Sequence, residues 1–313
     1  MDATPSVPLP VGASTGIPQD PPAPLAIRGR SFVWGSRTFL MGVVNVTPDS
    51  FSDGGMLATT EEAIAHGLQL AADGADILDI GGESTRPGAD PVPLDQELAR
   101  VVPVVAGLSE AAPTHVALSV DTRRSEVARV ALDAGASIVN DVTSARDPSM
   151  FGVVRETGAG LVMMHMLGDP KTMQHNPRYD DVVSEVRDFL ATRIGAAVAA
   201  GVPRDRVCVD PGLGFGKTLE HNLALLRAIG AFEQLRTPVL VGASRKRFIG
   251  ELTGVDEPAE RVEGTAGVVA WCAANGVDVV RVHDVRAMAR VVRVVDAIAR
   301  DRDAVTIAGG ATP

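Results

Sequence analysis

Residues 39–73 read FLMGVVNVTPDSFSDGGMLATTEEAIAHGLQLAAD, and this stretch holds the pattern that decides the fold. The apolar run from Phe39 to Val44 predicts a buried strand, and a helical pattern begins near Glu61. The polar loop between them is about fifteen residues long, whereas most such connections take about 2–6 residues. A long polar loop at the C-terminal end of a buried strand is typical of a lid or a binding loop. We therefore expect function at this end of the strand.

The same alternation of an apolar run and a helical pattern continues along the chain. The apolar runs are continuous, as expected for parallel strands that are buried on both faces. The predicted strands are Leu40–Val44, Ile77–Ile80, Val116–Val120, Ser137–Asn140, Gly160–Met164, Val207–Asp210, Val239–Gly242 and Val279–Val282. The predicted helices are Glu61–Asp73, Asp95–Glu110, Ser125–Ala134, Met150–Glu156, Asp180–Ala200, Leu219–Ala228, Glu260–Asn275 and Val285–Arg300.

Eight βα units in about 260 residues predict an α/β protein with a (β/α)8 TIM-barrel fold. A doubly wound parallel sheet is the alternative. Before the first strand, Arg30–Val33 and Arg37–Leu40 flank Trp34-Gly35-Ser36. This arrangement predicts a short N-terminal hairpin that closes the barrel bottom.

The composition of the two terminal segments limits the predicted barrel domain to residues 27–301. Residues 1–26 hold seven prolines and no hydrophobic period, which predicts a disordered Pro-rich arm. They also lack the basic start and apolar stretch of a signal peptide. Residues 302–313 predict a loose C-terminal tail.

The charge and hydropathy of the chain argue against two kinds of partner. The formal net charge of −10 argues against a general nucleic-acid binder, although a local cationic pocket can still bind an anionic substrate. No apolar run reaches the roughly 18 residues of a membrane span. Cys208 and Cys272 lie in apolar segments and predict reduced, buried thiols in a cytoplasmic protein.

Polar residues follow the predicted strands, where the active sites of (β/α)8 barrels lie. Asp121, Asn140 and Asp210 supply carboxylates and an amide. Hydrogen-bond donors and positive charge come from Lys246, Arg281, His283 and Asn45. One such aspartate could equally be a helix N-cap, but three at matching strand ends favour a site. Carboxylates on one side and cations on the other suit a ligand with an N–H-rich ring and a phosphate tail.

Other motifs fail on their spacing. Residues 211–218 approach the nucleotide P-loop pattern, but Pro211 occupies the position of its first glycine. His165 and His175 lack a Cys or His partner at metal spacing, which argues against zinc. No G-x-S-x-G elbow or Cys/His pair indicates acyl transfer.

Two long signatures and several short ones run through the chain. The long ones are Val44–Met56 and Asp79–Gly88. The shorter ones are Ser119–Thr122, Asn140-Asp141, Asp210–Phe215, Ser244-Arg245-Lys246 and Arg281-Val282-His283. They follow one another in order over almost the whole predicted barrel, and together they make the chain similar to the dihydropteroate synthase family, the folate-pathway enzymes that sulfonamides inhibit.

The resemblance implies a transferase that condenses 6-hydroxymethyl-7,8-dihydropterin diphosphate with p-aminobenzoate to give 7,8-dihydropteroate and pyrophosphate. It also implies Mg²⁺ as cofactor and a homodimer. The implied pterin contacts are Asp121, Asn140, Met164, Asp210, Phe215 and Lys246. The implied pyrophosphate contacts are Asn45, Arg281 and His283, with Asn45 also on the metal. The implied p-aminobenzoate contacts are Phe51, Ser84, Thr85, Arg86, Pro87 and Ser244. The resemblance also implies catalytic roles for Asp121, Asp210, Lys246 and Arg86.

The chain departs from the family pattern at one position, and two related functions compete with the synthase. Some relatives carry a serine after the Ser-Arg-Lys lysine, near the p-aminobenzoate carboxylate, where this chain has Arg247. The first competitor is a pterin-binding barrel without synthase activity, which would tend to lose the loop signatures that are kept here. The second is a methyl-transferring pterin barrel that serves a corrinoid protein, which needs neither the Ser84–Pro87 pocket nor the pyrophosphate cations.

Overall fold

The structure is a computed structural model that describes residues 21–27, 29–46, 59–84 and 88–300. It contains two sheets, a small antiparallel one and a large parallel one. The small sheet pairs β1 (Leu25–Ile27) with β2 (Arg30–Phe32). The strands of the large sheet are β3 (Phe39–Asn45), β4 (Ile77–Gly81), β5 (Ala117–Asp121), β6 (Ile138–Asp141), β7 (Gly160–Met164), β8 (Val207–Asp210), β9 (Leu240–Gly242) and β10 (Val279–Val282).

The eight parallel strands form a barrel in the order β8-β7-β6-β5-β4-β3-β10-β9. The two ends of this row meet through a parallel bridge between Val209 and Val239. The Val209 N–H also donates to the carbonyl oxygen of Pro238 at 2.9 Å. This closure confirms the predicted (β/α)8 barrel and excludes the doubly wound sheet, which has two open edges.

Nine α-helices surround the barrel in the described part of the chain. They are α1 (Thr60–Ala72), α2 (Leu94–Ala111), α3 (Ser125–Ala134), α4 (Met150–Thr157), α5 (Val182–Ala199), α6 (Leu219–Arg227), α7 (Arg247–Thr253), α8 (Val262–Ala274) and α9 (Val285–Ala299). The sequence predicted all of them except α7, whose two turns are too short for a periodic apolar pattern. None of the helices described has the length and apolarity needed to cross a bilayer.

The N-terminal hairpin exists, but the sequence analysis placed its strands wrongly. Arg30–Phe32 pairs with the earlier segment Leu25–Ile27, and the predicted partner, Arg37–Leu40, instead leads into β3, which begins at Phe39. The reason is that the Phe39 N–H donates to the carbonyl oxygen of Asp278 at 2.8 Å, and the strand that follows pairs in parallel with β10. The hairpin strand β1 therefore begins inside the segment predicted as an arm.

The hairpin fills the lower end of the barrel with apolar side chains. Phe32 and Trp34 stack with ring centroids 5.6 Å apart, and Phe39 meets Phe32 edge-on at 5.1 Å. The apolar cluster at this end is Leu25, Ile27, Phe32, Trp34, Phe39, Met41, Ile77, Ala117, Ile138, Val162, Cys208, Leu240 and Val279. Because this plug occupies the lower barrel, the polar side chains that point inward gather at the C-terminal ends of the strands.

Candidate active site

Arg281 stands at the centre of a buried polar cluster at that end of the barrel. Its Nε donates to Asp79 Oδ2 at 2.6 Å, and its Nη2 donates to Asp121 Oδ2 at 2.8 Å. Asn140 Nδ2 donates to the same Asp79 oxygen at 2.9 Å. The four residues come from β10, β4, β5 and β6, whose alternate side chains point into the barrel. The structure thus brings together three predicted residues and adds Asp79.

The charges of this cluster are not balanced. Two carboxyl groups face one guanidinium, and Asp79 is fully buried. Burial raises the pKa of Asp121, against the opposing effect of Arg281. Burial alone would lower the pKa of Arg281, but Asp79 and Asp121 outweigh it and raise the pKa. The guanidinium therefore stays charged and the cluster favours a further positive charge near Asp121.

Asp210 and Lys246 form the opposite side of the same pocket. Asp210 Oδ1 accepts from the Gly212 N–H at 2.7 Å. Burial raises the pKa of Asp210 to about 6, against the effects of that N–H group and of Lys246. Burial lowers the pKa of Lys246 to about 8, although Asp210 opposes it. Near neutral pH both groups are charged, so a ligand finds an acceptor and a donor side by side.

An apolar slot lies beside this pair. Met164 ends β7 and belongs to a small buried cluster with Val142, Met166 and Met173, against which Phe215 packs. The Lys246 ammonium nitrogen lies 4.1 Å from the centroid of the Phe215 ring. Sulfur and aromatic groups of this kind pack well against a flat ring. The slot, the carboxylate and the ammonium together suit a planar heterocycle that offers N–H groups along one edge.

The loops that follow β9 and β10 are joined by two polar contacts. His283 Nδ1 lies 3.0 Å from Ser244 Oγ, which also accepts from the His283 N–H at 3.2 Å. Arg245 reaches Asp284 with two hydrogen bonds, of 3.1 and 2.8 Å. In (β/α)8 barrels these two loops commonly bind phosphate. Ser244 and His283 are therefore fixed together at the position expected for an anion, while the charge of Arg245 is used by Asp284.

Asn45 and Ser84 lie at the C-terminal end of the barrel strands, as predicted. Asn45 is the last residue of β3 and is half-buried opposite Gly81 of β4. Ser84 is half-buried three residues beyond Gly81. Four residues predicted at the p-aminobenzoate pocket, Phe51, Thr85, Arg86 and Pro87, lie outside the described residues.

Arg247, the residue that departs from the family pattern, begins α7 and points to solvent. Its side chain is 87% exposed and pairs with Glu251 one turn later at 2.8 Å.

Among the described residues, no group of three His, Cys, Asp or Glu side chains could hold a metal ion.

The sequence analysis missed Asp79 and Lys217. A charged residue inside the apolar run Ile77–Ile80 was the available signal for Asp79. Lys217 lay in the segment rejected as a P-loop, and only the tertiary structure shows it to be 3% exposed. Its Nζ lies 3.0 Å from His165 Nδ1 and donates to the Phe215 carbonyl oxygen at 3.0 Å. It therefore ties the loop after β7 to the backbone that carries Phe215.

Burial lowers the pKa of both partners of this contact. It lowers the pKa of His165 to about 3, assisted by the charge of Lys217, so the imidazole is neutral and its Nδ1 accepts. Burial also lowers the pKa of Lys217 to about 7, against the attraction of Asp210.

At Gly212, where φ is +69°, a Cβ would lie 2.0 Å from the His165 carbonyl oxygen. Only glycine permits this close approach of the two loops.

Comparisons with known proteins agree with this geometry. The profile of the family described as "Pterin binding enzyme" matches residues 41–283. The dihydropteroate synthase of Synechocystis is 44% identical over 280 residues, which cover 89% of this chain and 96% of that protein.

Two solved structures are similar in fold as well as in sequence. A Yersinia pestis dihydropteroate synthase in complex with a sulfonamide drug superposes with a TM-score of 0.84 at 41% identity, covering 88% of this chain and 99% of that one. A Xanthomonas albilineans dihydropteroate synthase with 4-aminobenzoic acid gives a TM-score of 0.82 at 46% identity, covering 90% and 99%. The chain described here therefore belongs to the dihydropteroate synthase family of pterin-binding transferases.

Proposed function

We propose that this chain carries out the family reaction with the pocket described above. In that reaction 6-hydroxymethyl-7,8-dihydropterin diphosphate and p-aminobenzoate give 7,8-dihydropteroate and pyrophosphate. The observation that carries the proposal is the placement of ionised Asp210 and Lys246 beside the slot of Met164 and Phe215. A dihydropterin has the flat ring and adjacent N–H groups that this arrangement accepts. Its amino group and ring N–H form a bidentate pair with the Asp210 carboxylate.

The diphosphate tail extends from the ring toward Arg281, His283 and Asn45. Arg281 keeps its charge because of its acidic neighbours, and Ser244 holds the His283 ring. Asn45 would offer one amide oxygen to Mg²⁺, an ion that favours few protein oxygens beside phosphates and water. The metal, when bound, neutralises charge on the diphosphate.

The chemistry follows from the excess of negative charge near the ring. The bond between the pterin methylene carbon and the diphosphate oxygen breaks, and its electron pair leaves with pyrophosphate. The positive charge that develops on the pterin is stabilised by Asp121 and Asp210. The uncharged aniline nitrogen of p-aminobenzoate then bonds to the methylene carbon and loses a proton. Phe51, Ser84, Thr85, Arg86, Pro87 and Ser244 are the proposed contacts of p-aminobenzoate, and they exclude water from the cation.

Pyrophosphate release tests the proposal. Purified protein is given dihydropterin diphosphate and Mg²⁺, with and without p-aminobenzoate, and dihydropteroate is measured by chromatography. We expect release that depends on p-aminobenzoate and matches the dihydropteroate formed. The control variant Asp210→Ala should lose both pterin binding and turnover.

The same experiment separates the competing functions. Pterin binding without turnover would contradict the proposal and indicate a pterin-binding barrel that has lost synthase activity. Methyl transfer to a corrinoid protein would give pterin binding that does not respond to p-aminobenzoate. The homodimer implied by the family resemblance stays a prediction, supported by the exposed side chains of Trp271, Val294 and Ile298.

A further inference from the structure

Asp79 contacts Asn140 and Arg281, two residues that the proposed function places against the substrate. Asp79 itself is fully buried. One of its oxygens, Oδ2, accepts from Arg281 Nε at 2.6 Å and from Asn140 Nδ2 at 2.9 Å. Its other oxygen, Oδ1, is buried and has no hydrogen-bond partner among the described residues. The side chain has no exposed area. A fully buried carboxylate with an unpaired oxygen destabilises the folded chain.

The contact with Asp79 fixes which way the amide of Asn140 points. The Asp79 oxygen that faces Asn140 also accepts from Arg281 Nε, so the Asn140 atom that donates to it is the amide nitrogen. The amide oxygen of Asn140 then points away from Asp79, and no described residue donates to it. A ring N–H of the pterin requires an acceptor of this kind. The reversed amide would present a donor to a donor.

The same carboxylate holds the guanidinium of Arg281 at its Nε edge. This leaves the outer edge of the guanidinium for Asp121 and for a ligand above it. A flexible arginine would lose conformational entropy when it binds an anion, and an arginine that is already fixed loses less. One buried oxygen thus sets the direction of two groups on different strands.

We propose that Asp79 is a positioning residue that fixes the acceptor face of Asn140 and the guanidinium of Arg281 before the pterin substrate binds. The inference rests on the proposed function, because it assumes that Asn140 and Arg281 face that substrate. Asp79 itself need not touch the ligand. Its effect should appear in substrate affinity rather than in the fold.

The test compares three variants of the full chain by calorimetry with a pterin base that lacks the diphosphate. Asp79→Leu removes the acceptor and keeps much of the volume, and Asp79→Asn keeps an acceptor oxygen. Ser119→Ala is the matched control: Ser119 pairs with Asp79 in the register of β4 and β5, is equally buried, and its hydroxyl also lacks a partner. We expect Asp79→Leu to weaken pterin binding about 10- to 100-fold. Asp79→Asn keeps an acceptor oxygen but not the charge, so its affinity should lie between those of the wild type and Asp79→Leu, whereas Ser119→Ala should stay within about threefold of the wild type.

A second pair of variants is decisive if Asp79→Leu does not fold. Asn140→Asp alone places two carboxylates against each other and should weaken pterin binding. Adding Asp79→Asn restores a donor and an acceptor in exchanged positions, so the double variant should bind more tightly than Asn140→Asp alone. Such a rescue requires the two side chains to act through their mutual hydrogen bond.

Several outcomes would overturn the inference. It fails if Asp79→Leu folds and binds the pterin base as the wild type does, or if the exchanged pair gives no rescue. It also fails if Asp79→Leu lowers the melting temperature without changing affinity, because the role would then be structural. Absence of turnover in the wild type would defeat the proposed function only, since the pterin affinities are measured without the reaction.

Discussion

Single buried residues set the chemistry of this pocket through their ionisation. Asp210, Lys246 and Lys217 have pKa values of about 6, 8 and 7, all moved toward neutrality by burial. The sequence located the first two because strand ends in a barrel are recognisable. It did not locate Lys217, because nothing in the local pattern shows that its ammonium lies against His165. The ionisation states likewise follow from burial, which only the fold determines.

The pKa of Asp210 predicts how pterin binding depends on pH. Its raised value means that the carboxylate becomes protonated as the pH falls through about 6. The charge-assisted pair with the pterin is then replaced by weaker neutral hydrogen bonds. We expect the affinity for a pterin base, measured by calorimetry, to be nearly constant above pH 7 and to fall about tenfold for each unit well below pH 6.

The control for this pH dependence is Asp210→Asn, which cannot ionise. It should bind weakly at every pH, without the loss below pH 6. An acid limb of equal size in this variant would assign the titration to another group, such as Asp121.

Whole elements are fixed by what they pack against, which their own sequence shows only in part. The sequence predicted a hairpin around Trp34-Gly35-Ser36, but the hairpin in the structure pairs Leu25–Ile27 with Arg30–Phe32. The predicted second strand pairs instead with β10, beginning with a backbone hydrogen bond of Phe39. The helix α7 has no amphipathic period that a sequence could display in seven residues. It is held in place by burial of Phe248 and Ile249, which depends on its neighbours.

The hairpin is predicted to serve stability rather than catalysis. Phe32 is fully buried between Trp34 and Phe39, at the opposite end of the barrel from the pocket. Phe32→Ala should lower the free energy of unfolding by about 3–5 kcal/mol, because it leaves a cavity in a close-packed cluster. The measurement is urea unfolding followed by fluorescence or circular dichroism.

The neighbouring residue Val33 provides the control for this element, since its side chain is 49% exposed. Val33→Ala should change the free energy of unfolding by less than about 0.5 kcal/mol. Pterin affinity at a temperature where Phe32→Ala is folded should equal that of the wild type. A large loss of affinity there would show that the plug also shapes the pocket.

The molecule as a whole separates stability at the barrel bottom from function at the top. The lower end is filled with apolar and aromatic side chains. The upper end holds the buried carboxyl groups of Asp79 and Asp210 and the half-buried one of Asp121, and cations compensate their charge only in part. Such a site binds a cationic transition state well and costs stability while it is empty.

The free energy of unfolding should reflect this cost in a way that depends on pH. Asp210 has a folded pKa of about 6 against an ordinary value of 3.8. Below about pH 3 the carboxyl is protonated in both states and the destabilisation is absent. It grows as the pH rises from 3.8 to about 6, and above pH 6 it amounts to about 2–3 kcal/mol. Asp210→Asn should therefore be more stable than the ligand-free wild type at pH 8 and nearly equal to it at pH 4.

Thermal unfolding between pH 4 and pH 8 measures this difference. Asp188→Asn is a suitable control, because Asp188 lies on α5 with a 71% exposed side chain and a surface ion pair, which is worth little. Its effect should be small at every pH. A stability gain of Asp210→Asn that did not change with pH would contradict the assignment of the burial cost to that carboxylate.

The sequence alone determined the barrel, its eight strands and the residues at their carboxyl ends, because continuous apolar runs and helical periods are local patterns. It could not determine that the barrel is plugged by Leu25–Phe32 or that Arg281 lies between Asp79 and Asp121. The tertiary structure also decided that the Asn140 amide nitrogen donates to Asp79 and that Lys217 is buried against His165. These facts depend on contacts between residues 52 to 202 positions apart, where burial and partner chemistry fix orientation and charge. No local pattern in the chain contains that information.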